Sequence, residues 1–108
     1  MTALSDQEFR IQADHALEQA QRSLMDLADE QGFELGLQNG VLNLEFEEPA
    51  ATKFVVSPNA PTRQIWVAAM TKSYKLPWSP ELGAFALDGE RLPHLLDRLT
   101  RTFLGTPA

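Results

Sequence analysis

The dipeptide Asn39-Gly40 constrains the fold of this chain more than any other pair of residues. A two-residue type I′ hairpin turn needs positive φ at both central positions, and Asn followed by Gly supplies them at little cost. The residues on either side alternate: after the turn, Leu42, Leu44 and Phe46 share one parity while Asn43, Glu45 and Glu47 share the other. That is the pattern of a sheet covered on one face and wet on the other. The spacing predicts antiparallel strands over 33–38 and 41–47.

Ahead of the hairpin the period is helical. Ser5 with Glu8 three residues later forms a capping box, and Phe9, Ala13, Ala16, Leu17, Ala20, Leu24, Leu27 and Ala28 recur at helical spacing. A helix is expected to about Asp29, with Gly32 at its exit. Beyond the hairpin, 48–50 breaks the run, 52–57 reads as a third strand, 58–61 as a turn and 63–69 as a fourth strand. The segments 73–78 and 84–88 are shorter, and Pro77, Pro80 and Gly83 confine them to edge-like pieces. A closing helix over 90–104 carries the stripe Leu92, Leu95, Leu96, Leu99 and Phe103; Pro93 is tolerated in its first turn and Gly105 ends it. The expected architecture is an α+β two-layer sandwich. Its antiparallel sheet of about five to six strands is covered on one face by the N-terminal and C-terminal helices, in one domain spanning 1–108.

Composition then excludes several functions. The chain has no cysteine, so a disulfide, a thiolate metal site and cluster ligation by its own thiolates are all ruled out. Any metal must be held by oxygen or imidazole. His15 and His94 are the only histidines, without an HExxH spacing, and are expected at the surface or its boundary; a zinc site is not expected. No glycine-rich phosphate loop, G-x-S-x-G or cysteine-histidine pair is present, so no enzymatic activity is expected. No apolar run approaches the roughly 18 to 20 residues that span a bilayer, and MTALSDQEFR lacks the basic and apolar regions of a signal peptide, so a cytoplasmic location is expected. Trp78, beside Pro77 and Pro80, reads as a loop-packing residue that shares a parity with Tyr74 and Leu76.

The formal net charge of −6 is unevenly placed. Residues 1–36 hold eight acids against two bases, and the remaining seven acids and seven bases cancel. Such a field repels phosphate backbones and attracts cations or a basic protein surface, so neither nucleic acid nor membrane is an expected partner. Asp14, Glu18, Arg22, Asp26 and Glu30 form one i, i+4 row on the first helix, Asp29 lies beside its end, and Glu34 carries the charge onto the first strand. Neighbours in such a row stand about 5–6 Å apart at Cβ. The row serves either as a solvated helix face knitted by Arg22 or as an open array of carboxylates that holds a hard cation loosely. Trp66 shares its parity with Gln64 and Ala68, opposite the aliphatic Ile65 and Val67. It is therefore expected on the wet side of the sheet, as an interface anchor unless a loop or the C-terminal tail covers it, with Arg63, Gln64 and Asn59 nearby.

The segment Gln38-Asn39-Gly40-Val41-Leu42-Asn43-Leu44-Glu45-Phe46, then Gln64-Ile65-Trp66-Val67-Ala68 and Tyr74, between an acidic leading helix and a leucine-rich closing one, resembles the bacterial members of the frataxin family. The resemblance spans nearly the whole chain. It implies weak binding of iron, ferrous or ferric, on an acidic ridge. It also implies docking to the cysteine desulfurase and scaffold machinery of iron–sulfur cluster assembly, as iron donor or regulator. Carried over by position, the ridge corresponds to Asp14, Asp26, Asp29, Glu30 and Glu34, with Glu18 on the same face, and the family's exposed tryptophan and the glutamine before it correspond to Trp66 and Gln64. Gln21, Arg22, Met25 and Ala28 stand where relatives have further acids, so the ridge is thinner and lower iron affinity or stoichiometry is expected. A monomer is expected, with iron-dependent association as an alternative. Two other functions compete: a ferroxidase or iron-storage protein, against which the lack of a Glu-x-x-His motif counts, and a metal-independent acidic interaction domain.

Overall fold

The computed structural model of the protein describes residues 4–105. The first helix, α1, spans Asp6–Gln31. Its capping box is formed: the Glu8 N–H donates to the Ser5 hydroxyl at 3.1 Å and the Ser5 N–H donates to Glu8 Oε1 at 2.9 Å. At the far end Gly32 takes a left-handed φ of 78° and donates its N–H to the Ala28 carbonyl. The helix runs two residues past the expected Asp29 because only Gly32 adopts the conformation that ends it.

Seven strands follow in order: β1 Glu34–Gln38, β2 Val41–Phe46, β3 Thr52–Asn59, β4 Gln64–Ala69, β5 Lys72–Ser79, β6 Ala84–Leu87 and β7 Glu90–Arg91. They form one antiparallel meander in sequence order. Asn39 and Gly40 make the expected tight turn with φ of 52° and 73°, which fixes Leu37 opposite Leu42 and Glu34 opposite Glu45. The later elements depart from expectation only in part. Pro58 and Asn59 belong to β3 rather than to a turn, because β2 reaches only as far as Val56 and leaves the lost N–H of Pro58 unneeded. β5 pairs with β4 over Lys72–Pro77 and with β6 only at Trp78 and Ser79, so its stretch up to Pro77 is an open edge, as expected of a strand that carries a proline. Glu90 and Arg91 extend the sheet, so the closing helix, α2, spans Leu92–Leu104 and not 90–104.

Both helices cover the same face. Phe9 of α1 meets Phe85 of β6 edge-on at 5.8 Å, and Phe103 of α2 lies 4.9 Å from Phe46 and 5.8 Å from Phe54. Tyr74 and Trp78 pack against this core and Leu76 is fully inside it. No helix among the described residues is long and apolar enough to cross a membrane.

One polar atom breaks the pattern. The Thr100 hydroxyl, on the inner face of α2, is fully buried without a hydrogen-bond partner. A buried, unpaired hydroxyl costs about 1–3 kcal/mol. Thr100→Val keeps the shape and removes the hydroxyl, and is expected to stabilise the protein by about 1 kcal/mol, read as a rise of roughly 4 °C in the thermal midpoint.

Candidate functional site

The packing of α1 decides where its acids go. Phe9, Ala13, Leu17, Ala20, Leu24 and Leu27 turn to the sheet, which leaves Asp14, Glu18, Asp26, Asp29 and Glu30 exposed on the water side. Glu34 opens β1, also exposed, and in register it faces Glu45 on β2. The charge of the helix thus continues around the end of α1 onto the outer face of the sheet, where Lys53 opposes Glu45. Glu45 belongs to this surface and was missed on charge grounds alone; the two-residue turn at Asn39-Gly40 already sets it opposite Glu34. Arg22, in the middle of the row, makes no ion pair among the described residues, so it does not knit the acids together.

Among the described residues no three Asp, Glu or His side chains converge as a closed metal site requires. The six acids form an open array of exposed carboxylates, five on the water side of α1 and Glu34 at the start of β1. Such an array suits a hydrated hard cation and gives it no cage.

The second surface is on the face of the sheet turned away from the helices, further along from Glu45 and Lys53. Three register rows meet there: Asn59–Gln64–Pro77, Ser57–Trp66–Lys75 and Val55–Ala68–Ser73, with Trp66 in the centre. The residues between them, Val56, Ile65, Val67 and Leu76, are buried on the core side, so the parity argument for Trp66 holds. Trp66 is half-buried, its indole N–H donates to Gln64 Oε1 at 2.9 Å, and Lys75 Nζ sits 4.9 Å from the ring centroid. Asn59 lies on the same face, but its Oδ1 accepts from the Thr62 N–H and hydroxyl and so shapes the β3–β4 turn.

Arg63 does not join this patch. Its guanidinium pairs with Asp6 and donates to the carbonyls of Leu4 at 3.0 Å and Ala60 at 2.7 Å, tying the start of α1 to the β3–β4 turn. Sequence proximity to Trp66 was misleading because the left-handed φ of 56° at Arg63 turns the chain before β4 begins.

A third group escaped the sequence reading. Glu90 on β7 accepts from Arg98 at 2.9 and 2.8 Å and lies 2.5 Å from His94 Nδ1, one and two turns into α2. The Arg98 hydrogen bonds, helped by His94 and opposed by partial burial, hold the Glu90 carboxyl at about 2 rather than its ordinary 4.5. The spacing 90, 94, 98 is the available signal, hidden by the expectation that all three share one helix. The group joins β7 to α2. Because the folded value lies below the unfolded one, its contribution is complete above pH 4.5 and disappears as pH falls toward 2. Glu90→Gln is expected to flatten the acid limb of the stability curve across that window. The expected loss at neutral pH is on the order of 1–2 kcal/mol, limited by solvent around the pair, and urea melts at stepped pH read both effects.

With these surfaces placed, comparison with known proteins identifies the relatives. The frataxin-like domain family matches residues 2–106. The iron-sulfur cluster assembly protein CyaY of Pseudomonas syringae pv. syringae is 32% identical over 84 residues, covering 74% of each chain, and that of Pseudomonas aeruginosa is 33% identical over 84 residues, covering 74% of this chain and 76% of its own. The solved frataxin of Psychromonas ingrahamii superposes with a TM-score of 0.64 over 92% of this chain and 90% of that one, at 22% identity. The chain belongs to the frataxin family, in its bacterial CyaY form.

Proposed function

We propose that this protein acts in iron–sulfur cluster assembly as a non-enzymatic iron-binding donor or regulator of the cysteine desulfurase. Iron, ferrous or ferric, binds weakly on Asp14, Glu18, Asp26, Asp29, Glu30 and Glu34. The relatives from both Pseudomonas species carry the name of iron–sulfur cluster assembly proteins. The observation that carries the reading is that all six acids are exposed and none of them has an ion-pair partner among the described residues. A helix face kept only for solubility gains from interspersed, paired charges. An unpaired row instead projects negative potential toward a cation or toward a basic groove on the desulfurase. The sheet face around Trp66 and Gln64 is a second docking surface for the same machinery.

The test is an anaerobic ferrous-iron titration followed by heteronuclear NMR. Amide broadening confined to α1 and the start of β1 is the expected result. No change at millimolar iron overturns the metal role and leaves the metal-independent interaction domain, a reading favoured by the lack of any convergent set of three acids. Oxygen-dependent turnover of iron in the same sample overturns the non-enzymatic reading in favour of a ferroxidase.

A further inference from the structure

We propose that the sheet face centred on Trp66 selects a partner surface carrying an Asp or Glu carboxylate, and that Lys75 is the residue that reads it. The proposal rests on the reading of this face as a docking surface and names the chemistry of its occupant. Of the nine positions in the three register rows, Lys75 is the only charged one. It is exposed and makes no ion pair among the described residues; its ammonium contacts the face of the Trp66 ring. Arg63, Arg98 and Arg101 are each paired to an acid; among the described bases without an ion pair, Lys75 is the one set over an aromatic ring.

Desolvation decides what can occupy this face. Trp66 and Lys75 are register partners on adjacent strands, so a partner that covers the indole also strips water from the ammonium. A cation–π contact at an exposed site does not satisfy the three N–H donors of a lysine, and a buried charge without a counter-group opposes association strongly. The partner must therefore bring an acceptor, and a carboxylate is the acceptor that also supplies the opposite charge. The Gln64 amide oxygen already holds the indole N–H, so the ring is fixed for an apolar group to lie against it beside that carboxylate. The two surfaces of this protein thus have opposite requirements: the α1 face calls for a basic partner, the Trp66 face for an acidic one.

The purified cysteine desulfurase and the purified scaffold protein, titrated separately at low and at physiological salt, test this with Trp66→Ala, Lys75→Gln, Lys75→Glu and Lys75→Arg. For the protein that occupies the face, Trp66→Ala and Lys75→Gln are each expected to weaken binding about tenfold, Lys75→Glu by more, and Lys75→Arg to remain near wild type, with the salt dependence reduced in the glutamine variant. Lys75 is exposed, so all its variants should keep the wild-type amide spectrum. If Trp66→Ala weakens binding while Lys75→Gln and Lys75→Glu bind as wild type, the face docks a partner but no carboxylate is read, and the proposal falls alone. If Trp66→Ala binds both proteins as wild type, the face is not a docking surface and the reading beneath the proposal falls with it.

Discussion

Reversing Asp26, Asp29 and Glu30 to lysine is expected to lower the affinity for the cysteine desulfurase on the order of a hundredfold at low salt, while the protein stays folded and its thermal midpoint rises. All three side chains are exposed, so none supports the core. The substitutions bring the formal net charge from −6 to zero and replace the acids at the end of the first helix, whose last turn holds no basic residue. Carboxylates near a helix C-terminus oppose the macrodipole, typically by about 0.3–1 kcal/mol each at exposed sites, and lysines there favour it. Stability alone would place bases at Asp29 and Glu30. That acids stand there against the helix dipole is the physical reason to read this end of α1 as a functional surface. Calorimetric titration at two ionic strengths decides it: wild-type affinity at low salt for the triple variant would remove the helix end from the desulfurase contact. A fall in the thermal midpoint would show that these side chains carry structural contacts.

The parts of the fold that were legible before the structure are those in which one local rule acts alone. Ser5 and Glu8 announce the start of α1 and Asn39-Gly40 the first hairpin, and both form as their chemistry dictates. The strands of the β4–β5 hairpin were legible from their alternation, but not the turn between them, because Met70 and Thr71 take φ of 51° and 67°, a conformation that neither residue type favours. The start of α2 was misplaced because Glu90 and Arg91 continue an apolar-polar pattern compatible with helix while tertiary pairing with Ala86 and Leu87 makes them strand. The same division holds for the sites. The placement of Trp66 on the outer face follows from parity, and the exposure of the α1 acids from the apolar stripe opposite them. The engagement of Arg63 with Asp6 and Leu4 depends on a contact 59 residues away in sequence, and the contact of Lys75 with Trp66 on the register between two strands; neither leaves a trace in local spacing.

Phe54→Ala is expected to produce the largest loss of stability, about 3–5 kcal/mol, with a fall in the thermal midpoint on the order of 15 °C. Phe54 is fully buried on β3, near the middle of the sheet, and its ring lies 4.9 Å from that of Phe46 and 5.8 Å from that of Phe103. Removing it takes away a large apolar group and opens a cavity beneath the C-terminal end of α2, where Phe103 loses its edge contact and Phe46 its tilted contact with the Phe54 ring. The surroundings cannot collapse to fill the space, because β3 is held by β2 on one side and β4 on the other. Phe103→Ala should cost less, since that ring is only half-buried and solvent fills part of what is lost. Urea unfolding of the two variants orders them. A loss at Phe103 equal to or greater than that at Phe54 would mean that docking of α2, rather than the β3 side of the core, limits stability at this end of the molecule. Small domains are stable by only about 5–15 kcal/mol, so the Phe54 variant should approach the unfolded state at physiological temperature and lose partner binding for want of a fold, with every acid of α1 and β1 still in its sequence.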